Sequence, residues 1–209
     1  MPQYKLHYFD GRGRGEGCRL IFAAAGVDYE DIRIDEDNEW PAEKSTGKYV
    51  FGQVPCLDVD DVRITQSRAI ARYLATQFGM MGSSAMDNAK IDMIADTMED
   101  LFEGWAQFIF KIEDEQKKAE AKDVYETSTV PTVLGALEKI LKDNNGGKGY
   151  LVGPKLTWAD LFFFAQMDTN LQLNPKVLDD YPALKALYKR VGDLPKVAAW
   201  VQKRPKTDW

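Results

Sequence analysis

Residues 53–67, reading QVPCLDVDDVRITQS, constrain this chain more than any other stretch. Two short apolar runs, 54–59 and 62–65, flank an Asp60-Asp61 pair. Runs split by a two-residue turn predict a β-hairpin. The first strand opens on Val54-Pro55; proline is tolerated at the first residue of a strand, and an X-Pro bond there can be cis. A proline that keeps Val54 out of the ladder leaves that residue's N–H and C=O for a ligand. The second strand closes on Gln66-Ser67, directly before the apolar run 69–74, so Ser67 is predicted to cap a helix. A helix N-terminus is in turn a ready anion site. One hairpin thus offers a peptide-like edge at one end and a carboxylate-sized anion site at the other. A short, extended, acidic ligand would suit both.

A chain of 209 residues allows one large domain or two small ones and buries a real core. Its net charge of −6 argues against general nucleic-acid binding, which needs a basic face. No apolar run approaches the ~20 residues that cross a bilayer, and the start, MPQYKLHYFDGRGRGE, has no apolar signal core. A cytoplasmic protein is expected. Two cysteines, Cys18 and Cys56, make no disulfide framework, and reduced thiols are expected. A single histidine, His7, excludes His-rich metal sites and most His-based triads.

Residues 4–9 (YKLHYF) predict an aromatic strand, followed by a glycine- and arginine-rich turn over 10–15. A helix is predicted from 14 to 25, with Cys18, Ile21, Phe22 and Ala25 on one face and Gly26 ending it. Residues 29–34 read as a second strand, which favours a parallel, right-handed βαβ unit. Residues 35–53 look irregular, and a helix from 67 to 78 completes a small α/β unit of roughly 80 residues. Residues 79–88 (GMMGSSAMDN) read as a linker. Beyond it Ile91, Ile94, Met98, Leu101, Trp105, Phe108 and Ile112 recur three and four apart, which predicts one long helix. A second helix over 119–142, kinked at Val130-Pro131, is expected next. Thr157-Trp158-Ala159-Asp160 is a capping-box signal before an aromatic run, and two shorter helices follow at 183–191 and 195–203.

The chain resembles the cytosolic glutathione S-transferases, most closely the sigma class of invertebrates, the class that includes haematopoietic prostaglandin D synthase. The resemblance rests on YKLHYFDGRGRGE near the start, FGQVPCLDVDDVRITQSRAIARYLA in the hairpin and helix, LTWAD, and LPKVAAWVQKRPKTD at the close. It covers the whole chain in order. It implies an α/β thioredoxin-like, glutathione-binding domain over 1–79, a linker over 80–88, an all-α domain over 89–209, and a homodimer.

Glutathione is a tripeptide with two carboxylates, an amine and a thiol, and only its thiolate is a good nucleophile. A hydroxyl that donates to the sulfur favours the charged form and lowers the thiol's pKa. Tyrosine is such a donor, neutral at pH 7. Tyr8, at the end of the first strand, matches the family's catalytic tyrosine; without the resemblance it reads foremost as an aromatic strand residue. Arg14 matches an arginine near the thiolate, with Arg12 a weaker candidate. Trp40 and Lys44 match the pair that holds the glycine end, through an indole N–H and a cation. Gln53 and Val54 match the segment whose backbone pairs with the cysteinyl part. Gln66 and Ser67 match the pair that binds the γ-glutamyl carboxylate, a role compatible with helix capping. Asp100 matches an acidic residue that reaches across the dimer to the γ-glutamyl amine. Asp96 and Glu99 beside it could join it around a hard cation, but a solvated acidic face is the plainer reading, and no metal is required.

A hydrophobic electrophile would lie against Phe9, Phe102, Trp105 and Phe162, although Trp105 also belongs to the helical core seam. The loop from Trp40 to Phe51 is longer than in sigma enzymes, Val50 stands where a proline usually precedes Phe51-Gly52, and Gly104 falls in mid-helix, where it could widen the pocket or bend the helix. Neither cysteine occupies the strand-to-helix turn used by cysteine-dependent members of the superfamily, so thiol-transferase chemistry is not expected. The expected function is glutathione conjugation to hydrophobic electrophiles. The alternatives are a glutathione-dependent prostaglandin D isomerase, or a haem or hydrophobe carrier or crystallin-like structural protein.

Overall fold

The computed structural model describes residues 2–208. They form two compact units, Met1–Met80 together with Gly192–Trp209, and Met81–Val191.

The first unit is built on a four-stranded sheet, β1 (Tyr4–Phe9), β2 (Glu30–Ile34), β3 (Cys56–Val59) and β4 (Val62–Thr65), in the order β2-β1-β3-β4. β1 pairs parallel with β2, Leu6 opposite Asp31, and antiparallel with β3, Leu6 opposite Leu57. The predicted hairpin is β3–β4, closing on Val59 opposite Val62. The parallel pair needs a crossover, which α1 (Glu16–Ala25) supplies. Gly26, at φ 71°, ends α1 and donates its N–H to the carbonyls of Phe22 and Ala23. That left-handed turn is one glycine adopts without a Cβ penalty.

Side chains alternate across the sheet, and β1 shows both faces. Tyr4 and Leu6 are buried on the side of α1 and α3 (Ser67–Phe78), where the Tyr4 ring meets Phe22 at 5.3 Å and Phe78 at 5.9 Å. On the other side Ile34, Tyr49 and Cys56 form a small core against which Phe9, Ile32, Trp40 and Val54 pack. The segment expected to be irregular contains a short helix, α2 (Trp40–Ser45). Pro41 stands in its first turn, where a proline's missing N–H costs no helical bond. α9 (Pro195–Lys203) packs on α1 within this unit.

The second unit is helical. α4 (Ala85–Ala106) starts four residues earlier than the apolar seam suggests, because the Ser84 side chain caps it by accepting from the Asp87 N–H at 3.0 Å. The expected seam is buried at Ile91, Ile94, Met98, Leu101, Trp105 and Phe108. The last turn widens into a π-helical segment, Gln107–Lys111. The helix expected over 119–142 is instead α5 (Glu115–Val124), a π-helical turn (Tyr125–Thr129) and α6 (Val130–Asp143), with Pro131 in the first turn of α6. Gly104 has a packing reason: a Cβ there would lie 2.5 Å from the ring of Tyr125, which fills that space. Tyr125 donates its hydroxyl to Asn170 Oδ1 at 2.6 Å.

α7 (Trp158–Leu173) and α8 (Pro182–Gly192) complete the unit. The predicted capping box forms. Buried Asp160 accepts from the Thr157 N–H (2.8 Å) and hydroxyl (2.9 Å), and from the Leu151 N–H (2.8 Å), so it also ties down the preceding loop. Among the described residues no helix is long and apolar enough to cross a membrane.

Candidate active site

Tyr8 is buried and hydrogen-bonded. It is 7 % exposed, at the penultimate position of β1. Behind it the chain turns at Gly11, whose N–H donates to Phe9 O at 2.8 Å, and enters α1 through a 3-10 turn, Gly13–Gly15. That turn carries the Arg14 N–H to the Tyr8 hydroxyl oxygen at 2.9 Å. A phenolic oxygen has one proton to give and lone pairs to accept with. With a backbone N–H on the oxygen, the proton is left for another acceptor. Burial raises the Tyr8 pKa, opposed by the Arg14 N–H and by the charges of Arg14 and Arg19. The hydroxyl therefore stays protonated at neutral pH.

Two glycines make the ring's seat. A Cβ on Gly15 would lie 2.6 Å from ring Cδ1 and 2.7 Å from Cγ, and one on Gly13 would run into the hydroxyl. Gly13 also sits at φ +34°, where L side chains are disfavoured. The Arg19 guanidinium carbon stands 5.7 Å from the ring centroid. Gly15→Ala should push the ring off its seat by the order of 1 Å; a displacement of that size costs up to ~100-fold in turnover where the ring belongs to the catalytic machinery. Turnover measured beside a thermal melt checks this, with a large loss of the first and a modest change in the second.

The hairpin region supplies the second group. β3 begins at Cys56, behind a cis Val54-Pro55 bond, so Gln53 and Val54 lie ahead of the ladder as anticipated. Ser67 was expected to cap α3, but it is the first helical residue; Gln66 holds the cap position and makes no side-chain capping bond. Gln66 sits at φ 73°, ψ 114°. Such a conformation costs a non-glycine residue ~1–3 kcal/mol and clusters at ligand sites. The Gln66 side chain makes no capping bond to the helix end, where the N–H groups of the first turn have no intrahelical acceptors. Ser67 is buried, and its carbonyl accepts from the Cys18 thiol at 3.6 Å.

Trp40 opens α2, its ring edge-on to Phe9 at 5.5 Å and to Tyr49 at 5.0 Å. Lys44, exposed on the same helix, lays its Cε 3.2 Å from where a Gly52 side chain would begin. Gly52, at φ +59°, thus leaves room for the lysine stem beside Gln53. Phe9, Trp40 and Val54 therefore meet in one cluster, with Lys44 alongside the loop that carries Gln53. Cys18 and Cys56 are buried and free, and burial pushes their thiols up to about 12 and about 11. Both stay protonated at neutral pH and are poor nucleophiles.

In the helical unit Asp100 is exposed on α4. Trp105 is 1 % exposed, its ring meets Phe102 at 4.7 Å, and its indole N–H donates to Gln166 Oε1 at 3.3 Å. Phe162, buried, packs on Trp158 at 5.2 Å.

Sequence reasoning missed the support under the Tyr8 turn. Glu16 and Arg19 are 1 % and 0 % exposed. Arg19 donates to the carbonyls of Gly11 (2.5 Å) and Phe9 (3.3 Å) and to Asp31 Oδ1 (3.0 Å). The signal was two charged residues, three apart, inside the otherwise apolar run EGCRLIF. Arg12 directs its guanidinium to the carbonyls of Thr207 and Asp208.

The same elements recur in known proteins. The family model "Glutathione S-transferase, N-terminal domain" matches residues 4–76, and "Glutathione S-transferase, C-terminal domain" matches 99–204. The chain is 44% identical over 209 residues to hematopoietic prostaglandin D synthase of Gallus gallus, covering 99% of both chains. It is 40% identical over 212 residues to Glutathione S-transferase 1 of Ascaris suum, covering both chains fully. The solved structure of prostaglandin synthase D of Nilaparvata lugens superposes with a TM-score of 0.89 at 37% identity, over 99% of this chain and 100% of that one. With both halves of the family's fold and relatives of this identity along its whole length, the chain belongs to the glutathione S-transferase family.

Proposed function

We propose that this chain conjugates glutathione to hydrophobic electrophiles, with Tyr8 as the group that stabilises the thiolate. The observation that carries this is the buried Tyr8 hydroxyl, which accepts the Arg14 N–H at 2.9 Å and so has its proton to give. Glutathione lies, in this reading, along three stretches of the first unit. Trp40 and Lys44 take the glycine carboxylate, the Gln53 and Val54 backbone pairs with the cysteinyl part, and Gln66 and Ser67 take the γ-glutamyl carboxylate at the start of α3. Arg14 adds a cation near the sulfur. Asp100 takes the γ-glutamyl amine of glutathione held by a second copy of the chain, which makes the working species a homodimer. The electrophile's apolar contacts are assigned to Phe9, Phe102, Trp105 and Phe162.

The chemistry needs only the sulfur and its donor. The thiol proton leaves to water, and the Tyr8 hydroxyl stabilises the sulfur's negative charge. The thiolate forms a carbon–sulfur bond with the electrophile, and a leaving group, where there is one, departs with its electron pair. The chain's 44% identity to a hematopoietic prostaglandin D synthase favours a second reading, in which the same thiolate serves prostaglandin D synthesis.

Turnover of glutathione with an aromatic halide, alongside calorimetric binding of glutathione, is the first test. Binding together with halide turnover is expected. Binding without halide turnover, followed by turnover of prostaglandin H2, would select the second reading. Absence of glutathione binding would overturn both.

A further inference from the structure

We propose that the segment 200–208 is a positioning element for Tyr8, acting through Arg12 and Glu16 on the turn that holds the tyrosine hydroxyl. The proposal rests on Tyr8 being the thiolate's donor. The turn itself has little to hold it: a single 3-10 turn, Gly13–Gly15, with Gly13 at φ +34°. Short 3-10 pieces have poor hydrogen-bond geometry, and glycine loses the most backbone freedom on ordering. Yet this turn must place the Arg14 N–H within 2.9 Å of one oxygen and two glycine Cα atoms against one ring. Something outside it has to fix it.

Besides Arg19, which holds the carbonyls of Phe9 and Gly11, two charged side chains do so. Arg12, directly before the turn and 6 % exposed, donates Nη1 to Thr207 O at 3.0 Å and Nη2 to Asp208 O at 3.1 Å. Its own carbonyl accepts the Glu16 N–H at 2.8 Å, so the residues on either side of the turn are joined. Glu16, directly after the turn, accepts from Trp200 Nε1 at 2.8 Å and from Arg204 Nη1 at 2.7 Å. One stretch of chain therefore grips the turn at both ends from more than 180 residues away in sequence, as the Glu16–Trp200 separation of 184 shows. A third tie, Lys196 Nζ to Ala25 O at 3.0 Å, fastens α9 to the far end of α1. A fork-shaped guanidinium that bridges two backbone carbonyls holds geometry in a way a lysine's point charge does not.

Arg12 is thus a positioning residue, and its removal should act on the sulfur through Tyr8. Arg12→Lys and Arg12→Ala are compared with the wild type and repeated in a Tyr8→Phe background. The readouts are kcat, the glutathione Kd and the pKa of the bound glutathione thiol. In the wild-type background Arg12→Ala is expected to lower kcat by about 10- to 100-fold, the scale of a misplaced catalytic group. It should raise the bound thiol's pKa and leave Kd within about threefold. Arg12→Lys, the variant that keeps the charge and is the safer to fold, should show the same effects in smaller measure. In the Tyr8→Phe background the Arg12 changes should have little further effect on kcat or on the thiol. Equal losses in both backgrounds, or an unchanged thiol pKa in both Arg12 variants, would overturn the positioning role and leave the Tyr8 reading standing. A Tyr8→Phe variant with full activity would overturn that reading, and this proposal with it.

Discussion

Tyr8→Phe is expected to lower kcat/KM for conjugation by about 10²- to 10³-fold, the loss seen when one preorganised donor to a developing anion is removed. That corresponds to about 2.7–4 kcal/mol of lost stabilisation. The substitution deletes one oxygen and leaves the ring, which fills the seat formed by Gly13 and Gly15. The fold should hold, with only the Arg14 N–H losing its acceptor. Glutathione binding should change little, because its carboxylates are assigned to other residues. Kinetics and calorimetry on the same preparation separate the two. A loss confined to KM would place Tyr8 in binding alone; a loss in kcat at nearly constant Kd is the expected result.

The second large effect is on stability. Asp160→Ala should destabilise the helical unit by about 3–5 kcal/mol, since buried donors stripped of their acceptor cost ~1–3 kcal/mol each. The carboxylate has three such donors, the N–H and hydroxyl of Thr157 and the N–H of Leu151, and it is 0 % exposed. Burial raises its pKa to about 6, against the pull of those hydrogen bonds, so at neutral pH it is chiefly the charged acceptor. A domain holds ~5–15 kcal/mol in all, so this one change should consume a large part of it. The midpoint of chemical denaturation measures the loss, and Asp160→Asn, which keeps one acceptor oxygen, should lose less. An alanine variant within about 0.5 kcal/mol of wild type, the range of an inert surface change, would show the box to be ornamental.

The contrast between these two residues shows what the sequence carries. The capping box was legible because its partners lie three residues apart, and the hairpin because a two-residue turn fixes its register, Val59 against Val62. Tyr8 was legible by its place at the end of a strand before glycines. Its orientation was not, since that comes from Arg14, Gly13 and Gly15 folded back on the ring. α2 was hidden because WPAEKS carries no apolar periodicity; it is held by Trp40 docking on Phe9 and Tyr49. The break at Tyr125–Thr129 was misplaced because the π-helical turn precedes the proline on which the kink was expected. Residue type alone points to Ser67 as the cap, whereas Gln66 holds the cap position. The contacts of Arg12 are hidden for a similar reason. Its partners are carbonyls 195 and 196 residues away, which no local pattern reveals.

The proton on the bound sulfur can be followed directly. The ultraviolet absorbance of the thiolate, followed against pH with glutathione saturating the protein, gives the pKa in the site. In the wild type it should fall about 2–3 units below the value near 8.5 of a free cysteine-type thiol, as 1.36 kcal/mol per unit and the expected kinetic loss require. In Tyr8→Phe it should return to within a few tenths of the free value. The same depressed pKa in both proteins would contradict the account, and would move the stabilisation of the thiolate to Arg14 or to the start of α3.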